Sequence, residues 1–324
     1  MTQVSVLCGG VGAARFLRGL LTVHDPSLVT GIVNVGDDAT VHGLHVSPDL
    51  DTITYTLADA VDPGRGWGLT DETWQAMDQL RRYAAANGRT AGDRIGDEAA
   101  GWFSLGDRDL GTHLYRTSRL RSGAGLASVT SEITRAWGIE MCLTPVTDDP
   151  VRTVVTTADG RDLAFQEYFV REHHDVEATA VRYDGAEEAR ASLLTVVSLA
   201  NADVIVVAPS NPAVSIGPVL AVPGVREALV ERRERTVAVS PIVGGAALKG
   251  PADRLMRELG HESSVVGVAR WYHEVAATLV VDEVDADLAD AVEAEGMRCV
   301  VTPTVMADDV VAGSLARTCL VAAS

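Results

Sequence analysis

The chain has 324 residues, 47 % hydrophobic and 22 % charged, which is enough to bury one large core and too apolar for a disordered chain. Its 27 basic residues stand against 45 acidic ones, a formal net charge of −18 with no Lys/Arg run. That balance excludes a general binder of nucleic acid or anionic membrane, but not an anionic small ligand held by backbone N–H groups or magnesium.

No apolar run reaches the roughly 20 residues of a membrane span, and MTQVSVLCGG lacks the basic and apolar regions of a signal peptide. Cys8, Cys142, Cys299 and Cys319 are too dispersed for a disulfide framework or a zinc site, so buried free thiols in a cytoplasmic protein are expected. Lys249 is the only lysine, a bias that fits GC-rich codon usage.

Short apolar runs alternate with helical patterns, which predicts βαβ units in a Rossmann-like, doubly wound, mostly parallel α/β sheet, one domain over residues 1–324. Val4–Cys8 reads as a buried strand, Gly9-Gly10-Val11-Gly12 as a loop and 13–21 as a helix. The next strand, 29–35, leads past Asn34 to the acidic pair Asp37-Asp38. Residues 67–100 read as mostly helical. VRTVVTT, Asp159-Gly160 and RDLAFQEYFV form a hairpin pattern, the centre of a possible inserted β-hairpin region over 145–185. Strands at 203–208, 236–240, 279–282 and 298–301 follow, with helices at 217–233, 252–259, 286–295 and 308–320. Ligands of such a sheet sit beyond the carboxyl ends of its strands.

Five loops carry candidate chemistry. VLCGGVGAARFLRG follows a strand and opens a helix, so the N–H groups of Gly9, Gly10 and Gly12 suit a phosphate; Arg15 spoils a dinucleotide fingerprint, and no Gly-Lys-Ser/Thr completes a Walker loop. In HVSPDLDT, Asp49 and Asp51 share one side if the backbone is extended. They could then hold magnesium, or one could take a proton from an alcohol. The plainer alternative is a turn capping a helix that starts near Thr52. LGDRD offers Arg108 as a phosphate clamp between Asp107 and Asp109, against a solvated ion-pair turn; His113 alone is more often structural. In PSNPAVSIGP, Ser210, Asn211, Ser215 and Gly217 offer a second anion or base site, against a proline-stiffened loop with caps. In SPIVGGAALKGPA, Lys249 could touch a phosphate, and Asp148-Asp149 of TDDPVRT reads as a turn. HExxH, GxSxG and clustered Cys/His patterns are missing, which disfavours those hydrolases.

The order GGVGAARFLRGL, NVGDD, SPDLDT, LGDRDLGTH, TDDPVRT, APSNPAVSIGP, SPIVGGAALKGPA resembles, over essentially the whole chain, the 2-phospho-L-lactate transferase family of deazaflavin coenzyme F-420 biosynthesis. The resemblance implies transfer of a phospho-acid unit from a guanosine-diphosphate-activated donor. The acceptor is the ribityl hydroxyl of 7,8-didemethyl-8-hydroxy-5-deazariboflavin, GMP leaves, and magnesium is the cofactor. It also implies a homodimer. Archaeal members use a lactyl donor and actinobacterial ones an enolpyruvyl donor; the arginine-heavy composition favours the latter here. Ala13-Ala14-Arg15 stands where archaeal relatives have a Thr-Pro-Lys-like stretch. Ser104 stands where some carry a basic residue against the deazaflavin, and it keeps hydrogen bonding without the charge.

On this basis Asp49 and Asp51 are expected at magnesium, Asp51 also orients the attacking hydroxyl, and Arg108 stabilises transition-state charge. Gly9, Gly10 and Gly12 hold phosphate, Ser210, Asn211 and Gly217 the nucleotide, and Asp51 and Ser104 the deazaflavin. Two other classes compete: a non-catalytic nucleotide-sugar-binding regulator of the gluconeogenesis-factor type, and a nicotinamide oxidoreductase using Asp37 or Asp38 on the ribose.

Overall fold

The structure, a computed structural model, describes residues 1–88 and 102–323. Seven aliphatic runs form one sheet: β1 (Val4–Cys8), β2 (Val29–Val33), β3 (Cys142–Pro145), β4 (Val204–Val207), β5 (Thr236–Val239), β6 (Thr278–Val281) and β7 (Arg298–Val301). Their order in space is β7-β6-β5-β4-β1-β2-β3, and every neighbouring pair is parallel. β1, β4, β5 and β6 are buried at every position, because a parallel sheet is covered by helices on both faces and its strands read as unbroken apolar runs. The winding reverses between β1 and β4, which opens a crevice beyond their carboxyl ends.

Helix α1 (Gly10–Leu21) packs on the C-terminal helix Asp309–Ala322 and on α2 (Pro48–Leu57). Phe16, Leu17, Leu50 and Ile53 fill the core there with Leu7 and Ile32 of the sheet. The first crossing requires glycine, since a Cβ on Gly19 would strike the backbone of Ala312. Between β2 and β3 lie α3 (Gln75–Ala86), α4 (Asp109–Arg121) and α5 (Leu126–Ala136); α6 (Leu193–Asn201) precedes β4.

Several boundaries differ from the sequence pattern. The helix expected near Thr52 starts at Pro48, where the fixed φ of proline suits a first helical residue. Residues 67–74 are not helical; α3 covers only part of the 67–100 stretch, and its portion beyond residue 88 falls outside the described residues. The helix over 217–233 is two, Gly217–Ala221 and Val225–Glu231, broken at Pro223-Gly224, with Gly224 at φ 87°. The hairpin joins Arg152–Thr157 to Asp162–Ala164, and Ala178–Asp184 adds a third antiparallel strand. Its second strand ends at Ala164, because the chain turns helical over Glu167–Arg171 to bury Tyr168 against Val155 and Leu163. All four cysteines are free; Cys8 and Cys319 are buried, Cys142 and Cys299 partly so.

Candidate active site

The crevice between β1 and β4 is lined by the loops that leave β1, β2 and β4 and by the first turn of α2. Asn34, one residue past β2, is the hub. Its Nδ2 donates to Asp49 Oδ2 at 2.9 Å and Asp37 Oδ1 at 3.2 Å, and its Oδ1 accepts from Gly36 N–H at 2.7 Å. Gln166, from the small antiparallel region, donates to Asp37 Oδ2 at 3.0 Å. Asp38 Oδ2 accepts from Ser47 Oγ at 2.8 Å and faces His45 Nε2 at 2.9 Å. Asp38 Oδ1 is buried without a hydrogen-bond partner among the described residues. All three aspartates are thus withdrawn from water, Asp37 and Asp49 around amide groups and Asp38 around the Ser47 hydroxyl and the His45 ring. Burial pushes the Asp49 carboxyl up to about 7, against the pull of Asn34 and of Gly10 N–H. Burial and the neighbouring Asp49 and Asp38 charges raise Asp37 as well, and burial raises Asp38.

The glycine loop is shaped around Asp49. The Gly10 N–H binds its carboxylate, and a Cβ on Gly9 would come 2.5 Å from Asp49 Oδ2 and 3.0 Å from Ser215 Cβ. Gly10 has φ +72°, a turn conformation that costs glycine little. A Cβ on Gly12 would strike the carbonyl of Pro209, so α1 starts against the β4 loop. Ser210 ties the two loops together by donating to Gly9 O at 2.8 Å. Asn211 caps the turn that follows, accepting from Ala213 N–H at 2.9 Å. Gly217 is where Tyr183 packs, its hydroxyl donating to Ala213 O at 2.6 Å.

Asp51 does not share a side with Asp49. Both stand on α2, and two residues of helix turn side chains by about 200°. The extended-backbone expectation therefore fails, and Asp51 points to α4. There both its oxygens meet the buried guanidinium of Arg116, Oδ2 at 3.1 Å from Nη1. Arg116 Nη1 also lies 3.3 Å from His113 Nδ1, and His113 Nε2 lies 3.1 Å from Asp109 Oδ2. Tyr55 closes the network, donating to Asp109 Oδ1 at 2.5 Å. Burial works to raise Asp109, yet His113 and Tyr55 hold its carboxyl below the ordinary value.

The LGDRD motif divides its labour. Asp107 accepts from the N–H groups of Gln75 and Ala76 at 2.9 and 3.0 Å and so caps α3. Arg108 is exposed, donates from Nη1 to Thr70 O at 2.6 Å, and makes no ion pair among the described residues. Ser104 accepts from Arg81 at 2.8 Å. Lys249 Nζ stands 3.1 Å from where a Gly66 Cβ would be. Next to Gly66, Trp67 is half-exposed, and the Arg65 guanidinium sits 5.2 Å from its ring and 5.4 Å from that of Trp74.

The crevice therefore brings Gly9, Gly10, Asp49 and Ser210 together, with Asn34, Asp37, Asp38 and Gln166 beside them. Asn34-Val35-Gly36-Asp37-Asp38 stands out in the sequence as a strand end beside β1 but has no place in the transferase site expected from it, although its position at the carboxyl end of that strand is the signal for one. Gln166 and Arg116 arrive from distant segments without any local pattern. Among the described residues no three His, Cys, Asp or Glu side chains close a metal cage, and no single helix is long and apolar enough to cross a membrane.

Fold and crevice define a doubly wound α/β protein with a buried acidic site at its switch point. Residues 4–309 match the family described as 2-phospho-L-lactate transferase CofD. The chain belongs to that family, and it is a transferase. It is 42 % identical over 322 residues to the phosphoenolpyruvate transferase of Streptomyces griseus, covering 98 % of this chain and 97 % of that one. The phosphoenolpyruvate transferase of Mycobacterium avium is 40 % identical over 330 residues, covering 94 % of each. A crystal structure of a upf0052-family protein from Bacillus halodurans shares the fold, with a TM-score of 0.62 at 17 % identity over 99 % of both chains.

Proposed function

We propose that this transferase is a cytoplasmic, magnesium-dependent enzyme of coenzyme F-420 biosynthesis. It moves a phosphoenolpyruvyl group from a guanosine-diphosphate-activated donor to the ribityl hydroxyl of 7,8-didemethyl-8-hydroxy-5-deazariboflavin and releases GMP. The enolpyruvyl donor is favoured over the lactyl one by the names of the relatives at 40–42 % identity. The observation that carries the reading is the meeting of Asp37 and Asp49 on Asn34 at the β1/β4 crevice, with Asp38 near enough to add its charge to both.

The donor set fits magnesium. Carboxylates buried without a cation hold protons near neutral pH, and Asp38 Oδ1 has an unused lone pair. Asp49, with Asp37 or Asp38, would hold the ion. The ion would supply neutralisation of the charge on the diphosphate and on the departing GMP. Asp51, committed to Arg116, orients the acceptor hydroxyl as a fixed charge on the acceptor side. Ser210 keeps the glycine loop against the β4 loop, where Gly10, Gly12, Asn211 and Gly217 flank the nucleotide. Arg108, released from Thr70, reaches transferring phosphate. Ser104 hydrogen-bonds the deazaflavin, and Trp67, braced by Arg65, offers a flat face for its ring.

The deciding experiment is a fluorescence titration of the deazaflavin into the protein with magnesium and GDP present, followed by GMP release from enolpyruvyl and lactyl donors. Saturation near one acceptor per chain with GMP release supports the proposal. No acceptor binding, beside clear binding of a UDP-sugar without turnover, overturns it in favour of a regulator.

A further inference from the structure

A surface helix normally turns an apolar stripe inward and its polar side chains to water. Helix α4 does the reverse. Its buried residues are His113, Arg116 and Thr117, while Leu114 is 57 % exposed and Tyr115 46 %. Asp109, Thr112, His113 and Arg116 recur at helical spacing, so they share the face that meets Asp51 and Tyr55 of α2, themselves one turn apart. The contacts along that seam are polar. The Tyr55 hydroxyl lies 2.8 Å from Thr112 Oγ1 and also meets Asp109, and Arg116 holds Asp51. Charge sealed between two helices is costly, and apolar side chains of similar volume are often as stable there or more so. Stability alone therefore gives no reason for a buried arginine beside a buried histidine in this seam.

The direction of the hydrogen bonds gives one. A guanidinium has only N–H donors. Arg116 Nη1 lies 3.3 Å from His113 Nδ1, so that nitrogen is the acceptor and the ring proton sits on Nε2. A proton on Nδ1, or a charged ring, would set one N–H against another. Nε2 faces Asp109 Oδ2 at 3.1 Å, one helical turn back. Asp109 is itself held in place, since its N–H donates to Glu72 Oε1 at 2.8 Å and Tyr55 occupies its other oxygen. Asp109 thus selects the tautomer of His113. His113 in turn takes an Nη1 hydrogen, and the guanidinium is held with its two terminal nitrogens on the oxygens of Asp51. Asp51 keeps 8 % of its side-chain surface open, against 2 % for Arg116 and 1 % for His113, so it is the member of this trio that a ligand reaches.

We infer that His113 and Asp109 are positioning residues of the transfer: they orient the Arg116 guanidinium and, through it, the carboxylate that Asp51 presents to the acceptor hydroxyl. The inference rests on the placement of Asp51 at the acceptor in the reading above. Nitrogen-15 NMR of histidine-labelled protein reads the tautomer without any substrate, the His113 signals being those lost in His113→Asn. A protonated Nε2 with a bare Nδ1 is expected, and a proton on Nδ1 overturns the inference. Steady-state kinetics reads the consequence. His113→Leu leaves an Arg116 hydrogen without its acceptor, so kcat/KM for the deazaflavin should fall on the order of tenfold to a hundredfold while KM for the donor stays within about twofold. His113→Asn should recover most of that loss, because its Oδ1 accepts from Arg116 and its amide donates toward Asp109. Asp109→Asn removes the carboxylate that selects the tautomer; it should show the same split, and it carries the test if His113→Leu does not fold. A seam that only joined two helices would lower the melting temperature of these variants without separating acceptor from donor. Equal losses for donor and acceptor, unchanged acceptor kinetics in a folded His113→Leu, or an asparagine at 113 no better than leucine each overturn the inference. Beside normal wild-type turnover, such a result overturns it alone. A wild-type chain that binds no deazaflavin overturns the functional reading, and this inference with it.

Discussion

Asp49 and Asp51 differ by one intervening leucine and by almost everything around them. Asp49 turns to the sheet, into a pocket of asparagine, glycine and further carboxylates, with no cation in contact among the described residues. Asp51 turns to α4 and is held through both oxygens by one arginine. Burial is the same for both, yet one is left as an uncompensated acid and the other is a fixed ion. The difference teaches that an acidic motif on a helix is two half-sites. The residue facing the switch point is free to take a cation and a ligand, and its neighbour two positions on anchors the wall that the ligand meets.

The sharpest way to break the comparison is to remove the arginine. Arg116→Ala leaves the Asp51 charge buried without a partner and is expected to cost roughly 3–5 kcal/mol of stability, read as a fall in the urea midpoint. Arg116→Gln combined with Asp51→Asn replaces ions by amides and should recover most of that loss. A loss below about 1 kcal/mol in Arg116→Ala would show that Asp51 finds other solvation and that the ion pair is not what separates the two aspartates.

Asp49→Asn tests the other half. Turnover should fall by roughly 10²–10⁴-fold if this carboxylate holds the catalytic cation. The pH dependence of folding gives an independent readout. The folded chain keeps a proton on Asp49 up to about 7, whereas its ordinary value is 3.8. The folded state thus binds more protons through that window, so stability is greatest below the unfolded value, falls as pH rises toward 7, and then levels off. Asp49→Asn should flatten that fall between the ordinary value of 3.8 and about 7 by roughly 1–3 kcal/mol, and magnesium should oppose it in the wild type only. An equal slope in both proteins would remove Asp49 as its source.

Gly9→Ala probes how closely the glycine loop is fitted to that carboxylate. A Cβ 2.5 Å from Asp49 Oδ2 is an overpacking expected to cost about 1–3 kcal/mol. The cost should shrink when Asp49→Ala is combined with it, and a double-mutant cycle measures the coupling. Strict additivity would mean that the backbone of Gly9, and not Asp49, sets the requirement.

Much of the fold was legible because parallel strands are continuous apolar runs and crossovers fix their order: Val4–Cys8 and Arg298–Val301 fall where the pattern puts them. β3 went unseen, for Cys142–Pro145 is four residues long and contains a threonine and a proline. At the site, the glycines and Asp49 were legible as a strand-to-helix turn and an acidic motif. The partition of Asp49 from Asp51 was not, because it rests on α2 starting four residues early, at Pro48, and so turning a period of two into a helical one. Gln166 and Arg116 were illegible for a different reason. Each reaches its aspartate across 129 or 65 residues of chain, a pairing that topology alone creates.

The smallest expected effect concerns the acceptor side. Trp67 is half-exposed between Gly66 and Gly68, which have φ of 76° and 68°, and Arg65 lies against its ring. Removing an outward-facing ring takes little from the core, so Trp67→Ala should change stability by no more than about 0.5 kcal/mol. If the ring stacks on the deazaflavin, the same substitution raises KM for the acceptor roughly tenfold and leaves KM for the donor unchanged. Trp67→Phe, which keeps a flat face, should recover most of the acceptor affinity. A KM that rises equally for donor and acceptor would make the loop around Trp67 a general support of the crevice and leave the acceptor side to Asp51 and its arginine.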